Sequence, residues 1–269
     1  TMAVTRTAVV TGASSGIGRA IALALAEDGC TTLVLQGRNR ERLDEVAAEI
    51  SGAHPSATVH TAQHDLTVEG ISAFCEQTKG LCTEGVDVLV NNVGGVDPSA
   101  ALPCESVTSE AYESMMHLNF KIPVLVLSGL SASLNEGGSV LFISSLNATS
   151  PEAGGGLYCA PKAAVNMYVK CAALDLAPKG IRVNSLSPGY CSTRFHDQLM
   201  PAEVRQVVET TGLAAANALK GMMTPEDVAA SAVFLCSDRA RMITGTDLLC
   251  DAGLGVNANA GTVLGLALS

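Results

Sequence analysis

Thr11-Gly12-Ala13-Ser14-Ser15-Gly16-Ile17-Gly18 joins the apolar run Thr7 to Val10 to a helix-like run that begins near Ile17. A glycine-rich turn therefore stands between a strand and a helix N-terminus. Glycines at 12, 16 and 18 permit positive φ and let backbone N–H groups approach an anion closely, where the helix dipole adds partial positive charge. A pyrophosphate meets those conditions. The spacing is G-x-x-x-G-x-G and not the commoner dinucleotide fingerprint G-x-G-x-x-G, so the loop taken alone reads either as a nucleotide cradle or as an ordinary turn.

Composition narrows the choice. The chain has 269 residues, 48% of them hydrophobic and 16% charged, with a mean hydropathy of +0.31. That is enough apolar material for a large core and argues against disorder. No linker or internal repeat divides it, so it reads as one domain over residues 2–269. A net charge of −10 and a pI near 4.9 disfavour nucleic acid as a partner. No uninterrupted apolar run reaches membrane-spanning length and no charged-then-apolar leader opens the chain, which gives the expectation of a soluble, cytoplasmic protein. Nine scattered cysteines form neither C-x-x-C pairs nor clusters with histidine. No metal site or disulfide framework is expected.

Outward from the loop, strand-like runs alternate with helix-like ones. Thr32 to Gln36 is a second buried strand, and its end reads Gln36-Gly37-Arg38-Asn39-Arg40. In dinucleotide folds an acid near this point takes the ribose 2′-hydroxyl, whereas an arginine accommodates a 2′-phosphate. No carboxylate occurs here before Glu41. Arg38, Arg40 and Arg42 crowd a helix start that disfavours cations, so either a phosphate compensates them or the helix simply begins in solvent. Thr58 to Gln63 is a third strand; beyond it Asp65 or Thr67 caps the next helix, or Asp65 faces an adenine amino group. Val86 to Val90 is a fourth, ending in Asn91-Asn92-Val93-Gly94-Gly95, either a ligand crevice or a turn.

Ser109 to about Leu134 reads as a long helix with Pro123 inside it. Proline has no N–H for the carbonyl four residues back, that of Asn119, which leaves a water site or a plain kink. Gly138 to Ser144 is a fifth strand that carries Ser144 and Ser145 to the carboxyl edge. Tyr158 and Lys162 follow at i and i+4 on one helical face, with Pro161 acceptable in a first turn. Arg182 to Leu186 is a sixth strand, Thr224-Pro225-Glu226-Asp227 opens a helix, and Asp247 to Cys250 is a seventh strand. Residues 191–223, with Met200, Met222 and Met223, form a lid or a surface helix. Strands and helices in this alternation give a doubly wound parallel α/β sheet.

With the glycine loop, Asn91-Asn92-Val93-Gly94, Asn119, Ser145, Tyr158 and Lys162 in this order, the chain resembles the short-chain dehydrogenase/reductase family over about residues 4–255. The thirteen-residue interval from Ser145 to Tyr158, Pro188-Gly189 and Thr193 match the same pattern. The resemblance implies a single Rossmann-type domain with a seven-stranded sheet and a nicotinamide cofactor, NADP(H) in preference to NAD(H) on the strength of Arg38. It implies a catalytic set of Asn119, Ser145, Tyr158 and Lys162. In that set Tyr158 is the general acid, Lys162 favours its phenolate and holds the nicotinamide ribose, Ser145 orients the substrate oxygen, and Asn119 holds a water leading to Lys162. It places the cofactor against Gly12, Ser14, Ser15, Gly16, Ile17, Gly18, Arg38, Asn39, Asp65, Leu66, Asn92, Gly94, Tyr158, Lys162, Pro188, Gly189 and Thr193. The expected activity is reduction of a small to medium, uncharged carbonyl or the reverse oxidation, in a homotetramer or homodimer built through residues 109–134 and 158–177. Two other readings compete. One is a 3-oxoacyl-carrier-protein reductase, which would need a basic patch from Arg194, Lys179 or Lys220 to offset the acidic chain. The other is a nucleotide sensor or scaffold without turnover.

Overall fold

A computed structural model describes residues 6–193 and 202–257. Among these, seven parallel strands form one sheet in the order β3-β2-β1-β4-β5-β6-β7. The strands are β1 Thr7–Val10, β2 Thr32–Gly37, β3 Thr58–Gln63, β4 Val86–Asn91, β5 Leu134–Ile143, β6 Arg182–Pro188 and β7 Asp247–Cys250. Chain order reverses between β1 and β4, where Ala8 to Val10 pair in register with Val88 to Val90. In an open parallel sheet such a switch point is where loops diverge and leave a crevice at the carboxyl edge.

Both faces are covered, which is why the central strands read as continuous apolar runs with no alternation. Helices α1 Gly16–Glu27, α2 Arg40–Ala53 and α9 Pro225–Cys236 bury Ile21, Leu25, Leu43 and Val228 against one face. On the other, α3 Val68–Leu81, α5 Ile122–Leu130 and α6 Gly156–Leu176 bury Phe74, Val126, Leu130 and Val165. Each large side chain fully removed from water contributes about 1.5–3 kcal/mol. Between β6 and α9 lie the short helices α7 Ala202–Val207 and α8 Ala214–Ala216, joined by a π-turn at Val208–Leu213. Of the expected lid, residues 194–201, including Arg194 and Met200, fall outside the described residues, as do residues 258–269.

Three local expectations are corrected. The fifth strand begins earlier, at Leu134, which pairs with Val86, and its register against β4 shifts before Ser139, across Gly137 at φ 78°. The helix beginning at Ser109 is not one α-helix with a kink: α4 Ser109–Met116 passes through a π-turn at His117–Lys121 into α5. The wider turn lets the Ile122 N–H reach back to the His117 carbonyl just before proline removes a donor. Pro161 is the sixth residue of α6 and so lies in its second turn, where the Leu157 carbonyl loses its usual helical partner. The stretch Ser109–Ser133 is long and apolar enough to cross a membrane by length and composition, although it is not an uninterrupted apolar run. His117, Asn119 and Lys121 interrupt its apolar run, and it packs on α3 and α6.

Candidate active site

The glycine loop is held from three sides by buried polar side chains. Thr11, 1% exposed, accepts the N–H groups of Asn92 and Val93 at 3.0 and 3.2 Å and donates to the Val90 carbonyl. Asn92 returns two bonds from Nδ2, to the Thr11 and Gly12 carbonyls at 3.0 and 3.2 Å. Gln36, also 1% exposed, accepts the Gly12 N–H and donates to the His64 carbonyl, tying the loop to the ends of β2 and β3. Sequence reasoning gave Thr11 and Gln36 no role. Their signal was a polar residue at the carboxyl end of a buried strand.

Glycine is required here sterically. Gly12 and Gly16 sit at φ 65° and 55°, and a Cβ on Gly18 would lie 2.2 Å from the Gly12 carbonyl oxygen. Ser15, the N-cap of α1, makes no side-chain capping bond, whereas Asn39, Thr67, Thr108 and Thr224 each cap their own helices. The first-turn N–H groups of α1, flanked by Ser14 and Ile17, therefore face the crevice without a side-chain acceptor, which fits a bound pyrophosphate. Thr193 stands over Gly16, with its side chain about 3.4 Å from where a Cβ would be.

At the end of β2, Arg38 is exposed and lines a cavity of about 710 Å³ with Asp65, Leu66 and His117. Asn39 and Arg40 each have a partner within α2. The Asn39 side chain caps α2 through the Arg42 N–H at 2.9 Å, and Arg40 pairs with Asp44 at 2.8 Å. An i+4 carboxylate thus compensates one of the arginines that looked uncompensated in the sequence. Gly37 is buried, and a Cβ there would meet the Ser14 and Leu43 side chains at 3.2 Å, so an acidic residue at this position would have to push them aside by a few tenths of an ångström. Thr67 is the cap of α3, which leaves Asp65 exposed at the cavity.

The loops after β4, β5 and β6 meet at the same edge. Ser145, 8% exposed, accepts the Asn147 N–H at 3.1 Å and donates to Asn147 Oδ1 at 3.4 Å. Tyr158 is near it on α6. Burial raises the phenol above its usual value, a hydrogen bond from Ser145 works in the opposite direction, and the nearby Cys159 and Glu152 raise it further. Lys162 is 3% exposed, and burial pulls its pKa down to about 8. Its ammonium donates to the Ile143 carbonyl at 3.0 Å and lies 5.7 Å from the Tyr158 ring centroid. Its charge points to a backbone oxygen, and burial is the largest influence on both groups.

The Asn119 side chain is fully engaged with the backbone around it. Its amide pairs with the backbone of Gly95, accepting the N–H at 2.9 Å and donating to the carbonyl at 2.8 Å, with a further bond to the Met115 carbonyl. The side chain is a clamp on the loop after β4. A Cβ on Gly94 would lie 2.9 Å from Lys162 Nζ and 3.1 Å from Asn119 Oδ1, so a side chain here would displace both polar atoms. Pro188 closes β6, and the Gly189 N–H donates to the Cys250 carbonyl. Tyr190 borders a partly buried cluster in which Arg205 and Ser192 both bond Glu209. Among the described residues no group of histidine, cysteine and carboxylate side chains could hold a metal.

A doubly wound sheet with an uncapped glycine turn and a serine, tyrosine and lysine at one edge defines a dinucleotide-type oxidoreductase architecture. A family model described as enoyl-(acyl carrier protein) reductase matches residues 12–255. Dehydrogenase/reductase SDR family member 4 of Sus scrofa is 33% identical over 92% of this chain and 86% of its own length. Among solved structures, YwfH, an NADPH-dependent reductase involved in bacilysin biosynthesis, superposes with a TM-score of 0.82 at 28% identity, covering 93% of this chain and 98% of that one. A 7α-hydroxysteroid dehydrogenase complexed with NADH and 7-oxo glycochenodeoxycholic acid gives 0.82 at 27% identity, covering 92% and 93%. The chain belongs to the short-chain dehydrogenase/reductase family.

Proposed function

We propose that the protein is an NADPH-dependent oxidoreductase that interconverts a carbonyl and a secondary alcohol on a small to medium, uncharged substrate. The observation that carries the reading is the meeting of Ser145, Tyr158 and Lys162 at the edge where α1 presents its uncapped N-terminus. When bound, the nicotinamide supplies or accepts the hydride. Tyr158, kept protonated by burial, donates its phenolic proton to the substrate oxygen and takes it back in the reverse direction. Ser145 turns its hydroxyl from Asn147 Oδ1 to the same oxygen. Lys162, bonded to the Ile143 carbonyl, would hold the nicotinamide ribose, and its lowered pKa suits it to pass a proton near neutral pH.

The preference for NADPH rests on Arg38, exposed on the cavity, and on Gly37, which leaves the end of β2 without a carboxylate and where a Cβ would crowd Ser14 and Leu43. Asp97 and Glu152, close to the edge, disfavour anionic substrates. Nine free thiols support a reducing compartment such as the cytoplasm. Exposed Tyr112 on α4 and Met167 and Leu174 on α6 support assembly through these helices. The test is kcat/KM of the wild-type chain for NADPH and NADH with a panel of neutral, cationic and anionic ketones. Turnover of neutral ketones with NADPH favoured at least tenfold is expected. Nucleotide binding without turnover of any carbonyl would instead favour a sensor.

A further inference from the structure

The cavity at the Arg38 end is bordered by a turn that is fastened from outside the sheet. His117 Nε2 lies 3.0 Å from the carbonyl oxygen of Leu66, a residue 51 positions earlier. That oxygen can only accept, so the ring must carry its proton on Nε2. Within the turn the Thr67 N–H bonds the Asp65 carbonyl, and Thr67 caps α3. Leu66 itself is 4% exposed, with its side chain in the core below the cavity.

The π-turn explains why a histidine here can do this. His117 opens the turn and Asn119 sits within it. In this wider turn each step rotates somewhat less than the roughly 100° of an α-helix, so side chains two residues apart point to roughly opposite sides. One side chain therefore reaches the loop after β3 and the other the loop after β4, where Asn119 grips Gly95. A single irregular turn brackets both loops at the carboxyl edge.

We infer that His117 is a positioning residue for the adenosine half of the cofactor: its Nε2–H fixes the Leu66 carbonyl, and with it the Asp65–Leu66 turn that borders the cavity. The inference rests on the nicotinamide-cofactor reading above, and its effect is confined to the end of the cofactor that Asp65 and Leu66 would face. Loss of the donor leaves the turn free to move before binding and weakens binding by the proportion of time it spends out of place.

The test measures binding of ADP-ribose by calorimetry, together with steady-state kinetics using NADPH and reduced nicotinamide mononucleotide, which lacks adenosine. For His117→Ala the ADP-ribose Kd and the NADPH KM are expected to rise together by roughly 3- to 10-fold, the range of one lost neutral hydrogen bond. The kcat should stay within about twofold, the mononucleotide should be used as well as before, and His117→Gln, with an amide N–H of similar reach, should restore most of the affinity. His117→Phe keeps a ring without the donor and takes the place of the alanine variant if that one does not fold. Unchanged ADP-ribose affinity, an equal loss with the mononucleotide, or a glutamine variant as weak as the alanine one would overturn the assignment. A wild-type chain that binds neither ADP-ribose nor NADPH would overturn the cofactor reading and this assignment with it.

Discussion

Replacing Lys162 by methionine should make the protein more stable while it abolishes activity, and the stability difference should depend on pH with a fixed sign. The ammonium is 3% exposed, and burial takes its pKa from 10.5 to about 8. Holding the charge at neutral pH therefore costs roughly 3 kcal/mol relative to an unfolded lysine. Methionine fills similar space without the charge, but it leaves the Ile143 carbonyl without the lysine donor, a loss of about 1–3 kcal/mol. The net gain at pH 7 is up to about 2 kcal/mol, or a rise of a few degrees in Tm. Between pH 8 and 10.5 the unfolded wild type still binds a proton that the folded wild type has released, so wild-type stability rises with pH through this window. The advantage of the variant should be greatest below pH 8 and shrink by roughly 3 kcal/mol by the upper end of the window. Paired denaturant titrations of the two proteins at several pH values read this directly. A difference that stays constant across the window, or one that grows with pH, would refute the buried-cation account.

Arg38→Ala should remove most of the preference for NADPH, a 10- to 150-fold effect if the guanidinium makes one charge-assisted bond to the 2′-phosphate. The wild-type preference should also narrow as salt rises, while NADH kinetics stay flat; equal preference in the two proteins would leave Arg38 as a solvated helix start. Asn119→Leu should free both backbone groups of Gly95, with a destabilisation of about 2–4 kcal/mol and much faster amide exchange at Gly95. Unchanged exchange at that amide would mean that the clamp is incidental.

The frame of the fold was legible because buried parallel strands leave continuous apolar runs bounded by turn residues. β1, β3 and β7 begin and end where the sequence places them, and the glycine loop announced itself by spacing. The π-turn was not legible, since an α-helix containing Pro123 and a π-turn ahead of it share one apolar periodicity. Pro161 misled for a related reason: the glycines at 154–156 give no cap signal, so the start of α6 two residues before Tyr158 left no trace. The partners of polar side chains were hidden throughout. Gln36, Thr11, Asn119 and His117 each bond a backbone group brought near by the sheet, and no local pattern encodes such a meeting. The direction of the Lys162 ammonium belongs with these, because i, i+4 spacing puts it on the face of Tyr158 without deciding which oxygen it finds.

The central claim is that the Tyr158 phenol is the proton donor of a carbonyl reductase. Its most direct test follows nicotinamide absorbance with NADPH and a ketone that the wild type reduces, in wild type and Tyr158→Phe, beside the calorimetric Kd of NADPH for each. The account predicts that turnover falls by at least about 100-fold, the scale of a lost general acid, while the Kd changes less than about threefold. A phenylalanine variant that keeps more than a few per cent of the wild-type rate would contradict it.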